Sequence, residues 1–179
     1  MKLKVITLTN QLNHPGFLKL KQSLDHFEYD WHCIETEWKG FGTKIIETAK
    51  YLETIRNEYS HFIFVDAHDS FVLESQKKLE LKLPRTYGLI SCEKAAYPDS
   101  DLAINYPCIN SPWKYVNSGH YFMPIWMFLE IVKLFPIQYE DDDQRWLTRV
   151  YLSHRYALHL DYDSSIFQSL AFKAPDDYN

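Results

Sequence analysis

Short apolar runs alternate with segments of helical periodicity along the first part of the chain. Residues 3–8 form an alternating, β-branched run that ends in a polar loop, which predicts a first strand. From residue 15 onward, apolar side chains recur at helical spacing and predict an amphipathic helix of about three turns. A short strand is predicted at residues 31–34 and a second helix around residues 45–55. The chain therefore begins in the order β-α-β-α.

The next apolar run, within residues 61–69, is followed by two acidic side chains. The run predicts a buried strand, and Asp66 and Asp69 come at its carboxyl end. Ligands of open α/β sheets bind beyond the carboxyl ends of the strands, so these carboxylates could hold a metal ion together with an anionic ligand. An aspartate after a strand is also an ordinary turn or helix-capping residue. The motif alone leaves both interpretations open.

The middle of the chain continues the pattern and then becomes irregular. Residues 70–83 indicate a short helical connection, and residues 87–92 predict a fourth strand. Residues 94–114 combine several prolines with many polar residues, and a connection of that length is typical of a functional loop.

The last third of the chain returns to regular structure. An extended run at residues 113–122 precedes a helix that starts near Pro124, and another helix follows the acidic cluster at residues 140–143. A late strand is predicted at residues 158–161. We therefore expect one α/β domain over residues 1–179, with a mostly parallel central sheet flanked by helices.

Charge and cysteine content restrict the possible partners and the environment. The net charge is −5 and no long basic run is present, which argues against a nucleic acid or an anionic membrane surface as partner. Cys33, Cys92 and Cys108 are too far apart for a zinc cluster and odd in number for a disulfide framework. No signal-like or membrane-spanning apolar stretch is present in the sequence, so we expect a cytoplasmic protein.

An ordered series of motifs runs along almost the whole chain. The motifs are Glu37-Trp38-Lys39-Gly40, Phe64-Val65-Asp66-Ala67-His68-Asp69, Ser91-Cys92-Glu93, Tyr97-Pro98-Asp99 with Tyr106-Pro107, Val116-Asn117-Ser118-Gly119, Asp141-Asp142-Asp143-Gln144, and Leu160-Asp161 with Ile166-Phe167-Gln168. In order and rough spacing, the series resembles the glycosyltransferase domain of the lysyl hydroxylase and procollagen glycosyltransferase family. The resemblance implies a Rossmann-like GT-A domain that binds a nucleotide sugar and uses UDP-sugars and Mn²⁺.

The resemblance implies that Asp66 and Asp69 bind Mn²⁺, and Mg²⁺ is also possible because hard oxygen ligands suit both ions. The cation would neutralise the charge that builds on UDP as the sugar leaves. The family's third metal ligand is a histidine in a C-terminal segment, whereas this sequence extends only to Asn179. We expect either weak metal binding or a substitute ligand, with His68 and His159 as candidates.

The resemblance also implies roles for other side chains. Lys44 would reach the donor, Asn117 would hydrogen-bond the sugar hydroxyls, and Asp142 and Asp143 would act as acceptor base or as stabilisers of an oxocarbenium-like centre. The remaining predicted donor-binding residues are Thr7, Thr9, Trp38, His68, Tyr97, Ser118 and Gly119. Helix capping remains an alternative for the two aspartates, and an ordinary strand-end position remains one for the two threonines.

Three positions depart from the family pattern. His68 stands where a tyrosine usually stacks on uracil, Tyr97 replaces a tryptophan near the donor sugar, and His120 replaces a glycine and could crowd the pocket. The sugar specificity is therefore open, and Asp161 is interpreted as structural.

The sequence predicts a metal-dependent transferase that moves a hexose, glucose or galactose, from a UDP-sugar to a hydroxyl-bearing acceptor, either protein or glycan. Two alternatives remain. One is a UDP-sugar-binding protein with weak or no catalysis, and the other is a metal-dependent phosphoester hydrolase that uses the same carboxylates.

Overall fold

The computed structural model describes residues 1–170 and confirms the α/β alternation. Within these residues the strands are β1 Leu3–Thr9, β2 Trp31–Glu35, β3 His61–Val65, β4 Gly88–Glu93, β5 Tyr115–Pro124 and β6 Leu158–Leu160. The α-helices of the same residues are α1 Pro15–His26, α2 Gly42–Ile55, α3 Gln76–Lys82, α4 Ile125–Leu134 and α5 Asp143–Leu152. Residues 171–179, which the single-domain prediction includes, lie outside the described part of the chain.

The described strands form one sheet in the order β2-β1-β3-β5-β4-β6. The pairs β1–β2, β1–β3 and β4–β6 are parallel, whereas β5 is antiparallel to both β3 and β4. The predicted mostly parallel sheet is therefore confirmed, with β5 as the antiparallel strand. Because β5 runs in the opposite direction, its first half lies at the sheet edge where β1, β3 and β4 end.

Helices cover both faces of the sheet, and this explains the continuous apolar run at residues 62–65 of β3. Phe62 and Phe64 pack into the core cluster that also contains residues of α2, α4 and α5. Ile63 and Val65 point to the opposite face and pack with Leu20 and other residues on the α1 side. A strand covered on both faces needs apolar residues at every position, which removes the alternation expected of a half-exposed strand.

Two glycines bring α2 against the segment that precedes α5. A Cβ on Gly42 would lie 1.9 Å from the carbonyl oxygen of Gln138, and one on Gly40 would lie 2.2 Å from that of Tyr139. Gly40 also has a φ of +139°, which favours glycine. This close backbone contact places the first turns of α2 and α5 next to each other.

Two predicted segments differ in detail. Only Gln76–Lys82 of the predicted 70–83 connection is helical, because the residues before it are held by other contacts. The Tyr29 hydroxyl donates a hydrogen bond to the Glu74 carbonyl oxygen at 2.9 Å. The predicted irregular loop contains a short 3₁₀ segment, Ser100–Asn105. Among residues 1–170, no helix has the length and apolar character needed to cross a membrane.

Candidate functional site

The site is centred on Lys44, in the first turn of α2. Its Nζ lies 2.9 Å from Asp66 Oδ1, just after β3, and 2.7 Å from Asp143 Oδ2, at the start of α5. The side chains of Lys44, Asp66 and Asp143 are only 10%, 30% and 5% exposed, respectively. Three predicted site residues from distant parts of the sequence therefore form one largely buried cluster.

The buried position shifts the protonation of this cluster. Burial raises the pKa of Asp66 to about 6, although the nearby Lys44 ammonium opposes the shift. Burial by itself would lower the pKa of Lys44, but Asp66 and Asp143 outweigh it and raise that pKa above its ordinary value. Lys44 therefore stays charged and compensates part of the negative charge at the edge of the sheet.

Gly119 leaves one oxygen of Asp66 uncovered. The Asp66 backbone N–H donates to the Gly119 carbonyl oxygen at 2.9 Å, which fixes the end of β3 against β5. A Cβ on Gly119 would lie 3.1 Å from Asp66 Oδ2 and 3.0 Å from Asn117 Oδ1. Since Lys44 contacts Asp66 Oδ1, the absence of a side chain on Gly119 keeps the second oxygen, Oδ2, open to a ligand.

A buried hydrogen-bond network orients Asn117. Its Nδ2 donates to Glu93 Oε2 at 3.1 Å, and its Oδ1 accepts from the Gly119 N–H at 3.1 Å. Gln144 Nε2 donates to the other Glu93 oxygen at 2.6 Å and to the Tyr97 carbonyl oxygen at 3.0 Å. The network connects β4, β5 and α5 and fixes both ends of the Asn117 amide.

Sequence reasoning assigned no role to the two central members of this network, Glu93 and Gln144. Both belong to recognised motifs, and Gln144 directly follows Asp143, which was the available signal. Gln144 Oε1 also accepts from the Ser118 N–H at 3.1 Å. Burial raises the pKa of Glu93 above its ordinary value, although the hydrogen bonds from Asn117 and Gln144 act in the opposite direction.

The structure separates the two predicted catalytic aspartates. Asp143 is buried and faces Lys44, whereas Asp142 is partly exposed. Asp142 Oδ1 accepts from the Arg145 N–H at 2.7 Å and caps α5, so the capping interpretation is confirmed for this oxygen. The Arg145 side chain also binds both oxygens of Asp99, at 2.7 and 2.8 Å.

A second group of predicted donor-binding residues lies where β1 ends. Thr9 Oγ1 and His68 Nε2 are 2.8 Å apart, and the His68 ring stacks on the ring of His14. Burial lowers the pKa of His68. Thr7 is fully buried beneath this edge, with no hydrogen bond to its hydroxyl within residues 1–170. His14 was not identified from the sequence.

Two predicted donor-binding aromatic residues lie on connections near the same edge. Trp38 is 40% exposed and packs edge-to-face against Phe41, with ring centroids 5.6 Å apart. Tyr97 is 64% exposed, and its backbone carbonyl binds Gln144. Both rings are accessible to a ligand, and their contacts with a donor stay predictions.

His120 lies on the opposite face of β5 from Gly119, because successive side chains of a strand alternate. Its Nε2 is 2.8 Å from Ser70 Oγ, and its ring is nearly parallel to that of Phe167. His120 therefore packs under the connection that carries Asp69. Asp161 accepts hydrogen bonds from three successive backbone N–H groups, at residues 165–167, in keeping with a structural role.

The donor set fits a divalent cation only in part. Asp66 Oδ2 and the exposed Asp69 carboxylate are hard oxygen ligands. Within residues 1–170, however, no group of three or more His, Cys, Asp or Glu side chains is arranged to hold a metal. His68 is hydrogen-bonded to Thr9, and His159, on β6, packs against the ring of Tyr87. These residues fit a cation whose remaining ligands come from a bound diphosphate or water.

Comparison with solved structures defines the class of fold. A glycosyltransferase involved in the glycosylation of the major capsid of PBCV-1 superposes with a TM-score of 0.56 at 12% identity, covering 89% of this chain and 82% of that one. A 4-diphosphocytidyl-2C-methyl-D-erythritol synthase from Anaerococcus prevotii gives a TM-score of 0.55 at 9% identity, covering 89% and 87%. The fold is the GT-A fold of glycosyltransferases.

Sequence comparison then defines the family. The sequence model of the PLOD GT domain matches residues 1–177, and the chain belongs to this family. The multifunctional procollagen lysine hydroxylase and glycosyltransferase LH3 of Homo sapiens is 29% identical over 186 residues, covering 94% of this chain and 25% of the relative. The corresponding multifunctional protein of Caenorhabditis elegans is 28% identical over 188 residues, covering 94% and 26%. This chain spans about a quarter of the length of these curated relatives.

Proposed function

We propose that this protein is a metal-dependent glycosyltransferase that moves a hexose, glucose or galactose, from a UDP-sugar to a hydroxyl group of a protein or glycan. The observation that carries the proposal is the cluster of Lys44, Asp66 and Asp143 beside the uncovered Asp66 Oδ2. It combines the Lys44 ammonium, a carboxylate oxygen of the kind that binds divalent cations and the second carboxylate of Asp143. These groups lie at the end of the sheet where α/β folds bind nucleotides. Family membership supports the same proposal.

Asp66 and Asp69 would hold Mn²⁺ or Mg²⁺, which supplies Lewis-acid stabilisation of the departing UDP. Lys44 adds a fixed charge close to the same oxygens. Asn117, oriented by Glu93, would bind the sugar hydroxyls. These residues bind and orient the donor, so the leaving group departs from a preorganised environment.

The different surroundings of Asp142 and Asp143 support a division of roles. Asp143 is buried against Lys44 and would face the donor sugar as a fixed negative charge. Asp142 is partly exposed, and one of its oxygens is not needed for helix capping. Asp142 would accept the acceptor's proton as the acceptor oxygen bonds to the anomeric carbon, while the bond from that carbon to the diphosphate breaks.

One observation favours a second candidate, a UDP-sugar-binding protein with weak or no turnover. Within the described residues, the carboxylates of Asp66 and Asp69 have no third protein ligand beside them, and Lys44 already contacts one Asp66 oxygen. Weak cation binding would lower the rate of UDP departure more than the affinity for the nucleotide.

The cytoplasmic location also stays a prediction.

Thermal unfolding with UDP, UDP-glucose and UDP-galactose, each with and without Mn²⁺, tests the donor assignment. A ligand at about 100 times its Kd stabilises the folded state by roughly 2.7 kcal/mol, which is easily measured. ADP with Mn²⁺ serves as the control. If no uridine nucleotide shifts the transition, the donor assignment is wrong. If a UDP-sugar binds but no UDP is released, even slowly to water, the binding protein is the better description.

A further inference from the structure

Two consecutive residues of β5 hold both ends of the segment that carries Asp66 and Asp69. The Asp66 backbone N–H donates to the Gly119 carbonyl oxygen at 2.9 Å. At the other end of the segment, Ser70 Oγ lies 2.8 Å from Nε2 of His120. The residues between these two contacts, which include Asp69, therefore connect two points that a single strand fixes. The separation of the two carboxylates depends on both contacts.

His120 is itself held in place on its face of the sheet. It pairs with Val65 across β3 and β5, so its side chain points to the same face as that of Val65, the face that packs on α1. There its ring lies nearly parallel to the ring of Phe167, with the centroids 6.0 Å apart. The Phe167 backbone N–H donates to Asp161 Oδ2 at 2.7 Å, which fixes this second ring. His120 is therefore a firm support for the residue that it contacts.

The contact with Ser70 accounts for a histidine at this position. His120 Nδ1 is buried and has no hydrogen-bond partner within residues 1–170. Because a buried polar atom without a partner destabilises the fold, an apolar ring of similar size would be the more stable choice for packing alone. Nε2 makes the one hydrogen bond of this ring in the described part of the chain, and Ser70, its partner, is buried. The histidine is therefore explained by its hydrogen bond and not by packing.

We propose that Ser70 and His120 are positioning residues for the cation site, and that their hydrogen bond keeps the Asp69 carboxylate within reach of the ion that Asp66 binds. The inference rests on the proposed function and adds to it two residues that act through Asp69. Asp69 is exposed, and its carboxylate makes no hydrogen bond or ion pair within the described residues. Its position is therefore set by the backbone on either side of it. A ligand that is held in place before the ion arrives binds that ion more tightly.

Two variants remove the hydrogen bond from opposite sides. Ser70→Ala removes the hydroxyl, and His120→Phe keeps a ring against Phe167 but removes both nitrogens. The double variant shows whether the two side chains act through one contact. Ser23→Ala is the matched control, because Ser23 Oγ accepts from the Val72 N–H at 3.1 Å and anchors the same connection further along.

Two measurements on the full chain separate positioning from stability. Electron paramagnetic resonance, which detects the free ion, measures Mn²⁺ binding with UDP present, and urea unfolding measures stability without ligands. We expect Ser70→Ala and His120→Phe each to weaken Mn²⁺ binding by about tenfold or more, as is typical when a group that orients a metal ligand is lost. The double variant should bind Mn²⁺ no more weakly than the weaker single variant. Ser23→Ala should bind it as wild type does.

The outcomes distinguish this inference from the proposed function. Wild-type Mn²⁺ affinity in Ser70→Ala, even with a loss of stability, would overturn the inference alone. A loss in the double variant equal to the product of the two single losses would do the same, because the two side chains would then act independently. If the wild-type chain with UDP takes up no Mn²⁺, the proposed metal dependence is wrong as well.

Discussion

Lys44 in α2 forms an ion pair with Asp143 in α5, with Nζ 2.7 Å from Oδ2, and the same ammonium lies 2.9 Å from Asp66 Oδ1. The pair exists because Gly40 and Gly42 let α2 pack closely on the segment before α5. It connects the predicted metal-binding side of the site to the predicted catalytic acids. The Lys44 ammonium is therefore a structural element of this cluster, and its role toward a donor stays a prediction.

Replacing Lys44 by methionine is expected to destabilise the protein by about 3–5 kcal/mol at pH 7, because it leaves the buried Asp143 and the partly buried Asp66 without a counter-charge. Part of the loss should be recovered at lower pH as Asp66, whose pKa is raised to about 6 by burial, becomes protonated. Urea unfolding at pH 7 and pH 5 measures both effects. Lys50→Met is the control, because Lys50 is exposed and its pair with Glu47 contributes about 1 kcal/mol or less.

Replacing Asp69 by asparagine is expected to abolish the Mn²⁺-dependent part of UDP stabilisation while leaving the fold intact. Asp69 is exposed, so its charge is not needed for packing. The measurement is thermal unfolding with UDP, with and without Mn²⁺. Glu130→Gln, at an exposed carboxylate on α4, should behave as wild type. A full Mn²⁺ effect in Asp69→Asn would remove this residue from the metal site.

Replacing Gly119 by alanine is expected to weaken UDP-sugar binding in the presence of Mn²⁺. The added Cβ would approach Asp66 Oδ2 to 3.1 Å and Asn117 Oδ1 to 3.0 Å, closer than ordinary contacts. The surrounding groups must shift, at a cost of about 1–3 kcal/mol typical of overpacking. Calorimetry and urea unfolding separate lost affinity from lost stability. Wild-type affinity would show that Asp66 Oδ2 contacts no ligand.

Replacing Gln144 by leucine is expected to uncouple the sugar site from the nucleotide site. Glu93 would lose its donor at 2.6 Å and remain buried, which destabilises the protein by about 1–3 kcal/mol. Asn117 would lose its fixed orientation, so the affinity gained by UDP-sugar over UDP should disappear while UDP still binds. Equal losses for UDP and UDP-sugar would argue for a general structural defect instead.

Acidification should destabilise the fold through His120. Burial lowers the pKa of this histidine to about 4, whereas the unfolded value is about 6.5. Between these values the unfolded chain binds more protons, so the unfolding free energy falls with falling pH, by at most about 1.4 kcal/mol per pH unit. Burial also lowers the pKa of His61, in the same direction. Urea unfolding of wild type and His120→Gln from pH 7 to pH 4.5 should show a shallower dependence in the variant.

The sequence by itself determined the order of the strands and helices. Apolar runs and helical spacing located the strands and helices because burial of each element is written in its own periodicity. The positions of Asp66 and Asp69 at the end of a buried strand followed from the same local pattern. The ordered motifs indicated the family to which the chain belongs.

Only the tertiary structure decided which of these residues meet. The antiparallel insertion of β5 brings Gly119 beside Asp66, and helix packing brings Lys44 to Asp143. Local periodicity reports which face of an element is buried, but not the partner or the register that covers it. The distinct positions of Asp142 and Asp143, and the stacking of His14 on His68, depend on such long-range contacts, which the sequence pattern does not encode position by position.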